Sequence, residues 1–302
     1  MKLTVIGVGS ASPQVDKNPS AFLLSIDNEY ILIDCGEGTQ YRLLDQSIKV
    51  SRIKTICISH LHGDHYFGLI GLLSSFNLKG RKDPITLVGP EGLQKILDIQ
   101  FEAANTTLNY ELNFVLNRNS QDKVLLEKKN FKIESIPLIH RVQSTGFLVT
   151  EKEGDRHIQA HKLPENFPLP FYSELKKGND VVDPLTNITY LASELTKSGT
   201  PKKVFAYCSD TAYNPEIVPI VKEANLMYHE ATFLKDLDQR AEMTQHSTAL
   251  QAGKIAKAAV VKKLLLGHLS SRYKSSEEHI SEAKEAFGNV EMAIEGAVYD
   301  VI

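Results

Sequence analysis

The six residues His60-Leu61-His62-Gly63-Asp64-His65 constrain this chain more than any other stretch. They place three imidazoles and a carboxylate directly behind the apolar run Ile53 to Ser59, which reads as a buried strand. A strand that ends in such a cluster delivers several donors to one point at its C-terminal edge. His60 and His62 alternate as in an extended segment and can face one ion. Asp64 and His65 come where a helix through Tyr66 to Phe76 is expected to start, and can face a second ion. Imidazole nitrogen with carboxylate oxygen, and no thiolate, suits zinc and its borderline neighbours. The plainer reading is a polar loop with surface histidines, but donors this dense are rarely accidental.

Six residues do not complete a two-ion site, and three further candidates stand behind apolar runs. His140 follows Ile136-Pro137-Leu138-Ile139, Asp210 follows Val204 to Ser209, and His268 follows Val261 to Gly267. Any one of them alone is as readily a satisfied structural residue. Together they repeat one placement, strand end then polar donor, and they supply the number that two ions need.

Beyond these donors the chain carries Leu32-Ile33-Asp34-Cys35-Gly36-Glu37-Gly38-Thr39-Gln40, Gly146 after His140, and Ser209-Asp210-Thr211. It also carries His229-Glu230-Ala231-Thr232-Phe233, Gln245-His246-Ser247-Thr248 and Gly267-His268-Leu269-Ser270-Ser271-Arg272-Tyr273. With these, nearly end to end, the chain resembles the metallo-β-lactamase-fold hydrolases and, within them, the ribonuclease Z family, endonucleases that trim tRNA 3′ ends. The first cluster specifies only the superfamily; the His-Glu-Ala-Thr, His-Ser-Thr and Ser-x-Arg-Tyr segments point to the family. The resemblance implies an αββα sandwich and two zinc ions per subunit, with manganese or iron as alternatives. His60, His62 and His140 would hold one ion, Asp64, His65 and His268 the other, and Asp210 would bridge. Asp64 would also act as general base. Glu230 would raise the pKa of His246, the proton donor to the leaving ribose oxygen, while His229 packs locally. Arg272 would bind phosphate through its planar fork. Asp34 would orient a histidine ligand, or instead cap a helix ahead of Cys35-Gly36. The family is usually homodimeric and acts on tRNA precursors.

At 302 residues, with 42% hydrophobic and 24% charged, the chain is long enough for a large core, and a single domain over 1–302 is expected. No run of 18 apolar residues suggests a membrane span. The opening Met1 to Gly7 has the length of a strand rather than a signal peptide, and the three scattered cysteines form no metal or disulfide framework. The expected setting is the cytoplasm. Net charge is 34 minus 37, or −3, which does not advertise a nucleic-acid binder. A local basic patch and a cationic metal pair would serve instead. The pattern predicts mixed β and α elements, an α/β (α+β) sandwich of two sheets with helices outside. Among the expected elements are a meander over Leu112 to Leu116, Lys123 to Leu126 and Phe131 to Ser135, a helix near Glu216 to Glu223, a helix over Ser247 to Ala259, and a last strand at Val290 to Ile294.

Between about 151 and 200 the pattern breaks down into prolines, Lys162, Lys176 and Lys177, and the aromatics Phe167, Phe171 and Tyr172. A structureless stretch of this length inside a compact domain is often functional. In the resembling family it is an inserted flexible arm that grips the tRNA body, with Phe171 to Asp180 near its tip. Interleaved aromatic and basic residues suit that task, with Lys176 and Lys177 as contacts. Two departures stand out. Leu169-Pro170 replaces the family's Gly-Pro pair. In the Pro-x-Lys-x-Arg-Asn loop, which handles the tRNA 3′ end, the matching residues are Pro13, Val15, Lys17 and Asn18, so only Lys17 remains basic and substrate-binding there. The rival readings are a small-molecule phosphodiesterase on the same fold and a non-catalytic RNA-binding relative.

Overall fold

The computed structural model describes residues 1–15, 17–118 and 123–302. Two seven-stranded sheets face each other. The first runs Val298–Asp300, Lys2–Gly7, Ala21–Ile26, Glu29–Ile33, Ile53–Cys57, Ile85–Pro90 and Leu112–Asn117, and its last four strands are parallel. The second runs Val290–Met292, Leu264–Gly267, Leu226–Glu230, Lys203–Cys208, Thr145–Glu151, Phe131–Pro137 and Val124–Glu127, and its first four are parallel.

Strand alternation builds the layers. Ile31 and Ile33 point between the sheets, while Leu32 points outward. Phe205 and Tyr207 likewise face inward, and Ala206 and Cys208 outward. The inter-sheet core gathers Phe22, Phe131, Phe147, Tyr207 and Tyr228. Helices Leu69–Leu78 and Leu93–Ala103 cover the outer face of the first sheet; Ala249–Ala258 and Glu277–Lys284 cover the second. The order is helix, sheet, sheet, helix, as expected. Sheets buried on both faces read as near-continuous apolar runs, which is why Leu264–Gly267 is buried at every position.

Several expected elements differ. The meander does not exist: Leu112–Asn117 closes one sheet and Val124–Glu127 opens the other, so the chain changes sheets between them. No helix spans Glu216 to Glu223, because Pro219 lacks the N–H that a helix interior needs; only a short 3₁₀ turn, Pro215–Ile217, forms. The last strand is Val298–Asp300, which returns to the first sheet beside Lys2–Gly7, and the strand Thr145–Glu151 and the helix Asp238–Thr244 were not foreseen. The helix expected from Tyr66 to Phe76 is split into Gly63–Tyr66 and Leu69–Leu78. Gly68 lies at the break, where a Cβ would stand 2.1 Å from the Gly36 carbonyl oxygen.

Residues 151–200 are folded rather than structureless. Short strand pairs (His157–Ile158 with Thr196–Lys197, Val181–Val182 with Thr189–Tyr190) and the helices Leu169–Lys177 and Ala192–Leu195 enclose Phe167, Leu175, Val181, Ala192 and Leu195. Pro170 stands in the first turn of Leu169–Lys177, where a missing N–H loses nothing, and left-handed Gly178 ends it. These strands are two residues long and the longest helix nine, too short for periodicity to reveal.

Candidate active site

The strands of both sheets aim their C-terminal ends at one place. Asp34 follows Glu29–Ile33, His60 follows Ile53–Cys57, Asp210 follows Lys203–Cys208, Glu230 ends Leu226–Glu230, and His268 follows Leu264–Gly267. Two of these residues, Asp34 (φ 57°) and His268 (φ 60°), have left-handed backbones that L side chains rarely adopt. The surrounding bonds hold them there: Asp34 N donates to Cys57 O at 2.8 Å, and His268 N donates to Val8 O at 3.0 Å.

All seven expected donors meet. His60, His62, His140 and Asp210 form one group, and Asp64, His65 and His268 another, the donor atoms of each lying within 4.8 Å of one another. Asp210 spans the two. Its Oδ2 lies 3.7 Å from His60 Nε2 and 3.8 Å from His140 Nε2, whereas its Oδ1 lies 3.5 Å from His65 Nε2 and 3.3 Å from His268 Nε2.

Hydrogen bonds at the far side of each ring decide which nitrogen faces inward. Buried Asp34 accepts from Ser59 N, Ser59 Oγ, Tyr207 Oη and His65 Nδ1, all at 2.7–2.9 Å. His65 therefore carries its proton on Nδ1 and turns Nε2 inward. Ser59 Oγ gives its proton to Asp34 and so accepts from His60 Nδ1 at 3.0 Å. His140 Nδ1 donates to Gln245 O at 2.8 Å. Thr232 Oγ1 gives its proton to Glu230 Oε2 at 2.8 Å, which leaves it to accept from His268 Nδ1 at 3.1 Å. Asp34 is no helix cap, because the next helix begins at Thr39 behind Gly38.

The residues present fit a divalent cation. His65 Nε2 and Asp210 Oδ1 are buried with no hydrogen-bond partner. His62 Nδ1 is met by two inward-facing nitrogens, His60 Nε2 at 3.1 Å and His140 Nε2 at 3.2 Å. Such crowding of lone pairs is favourable around a cation and unfavourable without one. Burial holds His60, His62 and His140 below the ordinary imidazole value, the neutral form a metal binds. Burial also works to lower His65, but Asp210, Asp34 and Asp64 outweigh it and lift it well above that value.

A second pair adjoins the donors. Glu230 is fully buried and accepts five hydrogen bonds: from Thr211 N, His246 Nδ1 and Ser247 N at Oε1, and from Thr232 N and Thr232 Oγ1 at Oε2. Burial opposes the His246 imidazolium, but the Glu230 carboxylate at 2.8 Å more than offsets it and His246 is raised to about 9. His229 is buried and donates from Nδ1 to Glu230 O at 2.6 Å, the local hydrogen bond expected of it.

A cleft of about 340 Å³ opens over these groups, lined by His62, Asp64, Asp210, His246, His268 and Arg272 among others. Arg272 Nε donates to Ser270 Oγ at 2.9 Å, and its guanidinium lies 5.1 Å from the centre of the Phe233 ring. Lys17 lines neighbouring cavities rather than this one. Lys176 and Lys177 lie on the remote helix Leu169–Lys177, where Lys177 is paired with Glu174 at 2.8 Å. Ser59, Tyr207 and Thr232 were not singled out from the sequence, since hydroxyls behind strand ends carry no spacing signal.

The family model described as "Anti-Pycsar protein Apyc1" matches residues 1–158. A Cytophaga hutchinsonii protein named ribonuclease Z is 41% identical over 300 residues, covering 99% of this chain and 96% of that protein. The chain belongs to the ribonuclease Z family. Over residues 1–158 it also belongs to the family of the first model, but that stretch ends before Asp210, Glu230, His246 and His268. The full-length ribonuclease Z match spans them all. Human tRNase Z, short form, superposes with a TM-score of 0.73 at 26% identity, covering 100% of both chains. The metallo-β-lactamase fold protein YhfI from Bacillus subtilis gives a TM-score of 0.70 at 21% identity over 99% of this chain and 98% of that one, a likeness of fold. The ribonuclease Z architecture thus extends over the entire chain, including the expected αββα sandwich.

Proposed function

We propose that the protein is a metal-dependent endoribonuclease that removes 3′ trailers from tRNA precursors and leaves a tRNA 3′-hydroxyl. The observation that carries this reading is Asp210 reaching both donor groups, one oxygen to each, beside the His246–Glu230 pair in a single cleft. Full-length likeness to proteins named ribonuclease Z and tRNase Z supports the substrate. We assign two zinc ions per subunit, one to His60, His62 and His140, the other to Asp64, His65 and His268, with Asp210 shared. When bound, such ions lower the pKa of water and neutralise charge developing on a phosphate.

The chain's own groups do the rest. Asp64 Oδ2 lies 3.2 Å from His268 Nε2 and 3.4 Å from His65 Nε2. Burial would raise its pKa, but His65 and His268 hold it far below the carboxylate range, so it stays ionised and orients the attacking water by accepting a hydrogen bond from it; we assign it the general-base role as well. Arg272 holds the phosphate through its fork. As the bond from phosphorus to the ribose 3′ oxygen breaks, His246 gives that oxygen a proton from Nε2, with Nδ1 anchored on Glu230. The phosphate leaves on the trailer. Residues 151–200, with Lys176 and Lys177, serve as the arm that grips the tRNA body. Lys17 contacts the 3′ end from the adjoining loop. We place the enzyme in the cytoplasm as a homodimer whose subunits are single domains over 1–302; its three cysteines are buried free thiols, and no described helix is long and apolar enough to cross a membrane.

The test is cleavage of two labelled tRNA precursors, one with and one without encoded CCA, by zinc-loaded protein beside an Asp64→Ala control. Metal-dependent cutting near the discriminator, absent in the control, is expected. Intact metal and hydrolysis of a small phosphodiester without RNA cutting would transfer the assignment to a small-molecule phosphodiesterase.

A further inference from the structure

Two arginines left without a task by this chemistry, Arg141 and Arg240, line the same cleft as His62, Asp64, His246 and Arg272. Arg141 directly follows the donor His140, and Arg240 lies on the helix Asp238–Thr244. One bond ties their supports together: His140 Nδ1 donates at 2.8 Å to the carbonyl of Gln245, the left-handed residue that ends that helix. The Arg141 loop is held further by Ile139 N on Thr211 Oγ1 at 3.1 Å and by Ala212 N on Ile139 O at 2.8 Å.

Among the described residues neither guanidinium forms an ion pair, whereas Arg42 pairs with Asp45 and Arg272 Nε is engaged by Ser270. A scissile phosphodiester carries one negative charge, which the donor cluster and Arg272 already address. A polynucleotide brings one more at every neighbouring nucleotide.

We infer that Arg141 and Arg240 bind the phosphates flanking the scissile one, so that this cleft takes an RNA strand in preference to an isolated diester. The inference rests on the endoribonuclease reading and adds two binding residues to it.

The test uses full-length zinc-loaded protein and the variants Arg141→Met, Arg240→Met and their lysine counterparts. KM and kcat on a tRNA precursor are measured across a salt series, with metal content and hydrolysis of a chromogenic phosphodiester in parallel. Each methionine variant is expected to raise KM about tenfold and to flatten the log–log salt dependence by about one charge. Chromogenic hydrolysis and metal content stay as in the parent. The lysine variants keep the salt dependence and regain part of the affinity, being point charges without the fork. Unchanged KM and salt dependence would overturn the assignment while leaving the endoribonuclease reading intact. So would equal losses on both substrates, or loss of metal, which mark a structural role. If the parent enzyme cuts no tRNA precursor, both readings fall together.

Discussion

In the donor cleft nearly every ring and carboxylate is held from behind by a named bond. Asp34 alone accepts four and Glu230 five. Residues 151–200 are built differently: a five-residue buried core, strands two residues long, and Leu169 and Leu185 left 80% and 94% exposed. The contrast teaches a division of labour. Bond breaking requires donors placed to a fraction of an ångström, which two packed sheets provide at their strand ends. The arm proposed over residues 151–200 would need area and charge instead, which a small excursion from the sandwich can offer without disturbing those ends.

The largest break in this comparison is expected from the cleft. Asp210→Ala removes the group reaching both donor sets and should lower kcat on the order of 10⁴-fold with loss of metal, read by metal analysis and single-turnover cleavage. RNA binding in a filter assay should survive, since the arm is untouched; loss of binding as well would erase the division.

His246→Asn should reduce kcat by about 10²- to 10⁴-fold with metal retained. The pH dependence sharpens the point. The pKa of His246 is raised to about 9, so the proton-donating form is present below that pH and lost above it, and kcat should fall as pH rises through about 9. Glu230→Gln removes the carboxylate that raises it, so the fall should move to lower pH. A fall at the same pH in that variant would deny His246 the role.

Asp34→Asn turns an amide N–H toward groups that all donate to the present carboxylate, and freezes His65 less well. Metal affinity should weaken about 10- to 100-fold in chelator competition, with thermal unfolding of the chelated protein shifted too. Affinity like the parent's would show that the strand ends alone orient the ring.

The smallest effect is expected from the arm. Leu175→Ala empties the centre of its small core and should loosen it by about 2–4 kcal/mol, readable as hydrogen exchange confined to 151–200. KM for a tRNA precursor should rise about tenfold, with turnover of a small phosphodiester unchanged.

How much could be read in advance follows the same divide. His60 to His65 and the three donors behind apolar runs were legible, because a buried strand ending in a ligand leaves a local mark: an apolar run, then a polar residue. The mixed β and α class was legible from alternating runs, whereas the helix-sheet-sheet-helix order came from the family resemblance. The 112–135 meander failed because adjacent strands in sequence, Leu112–Asn117 and Val124–Glu127, joined different sheets, a choice made by partners far along the chain. The small elements of 151–200 failed because none is long enough to display a period.

The sequence by itself determined which residues could donate and that they would stand at strand ends. Only the tertiary structure decided that Asp210 divides its two oxygens between the donor sets, that Asp34 reaches His60 through Ser59, and that Arg141 and Arg240 share a cleft. The physical reason is that these relations depend on distances between chain positions far apart, as Asp64 and His268 are 204 residues apart yet meet at 3.2 Å, and on left-handed backbones at Asp34 and His268 that surrounding contacts impose.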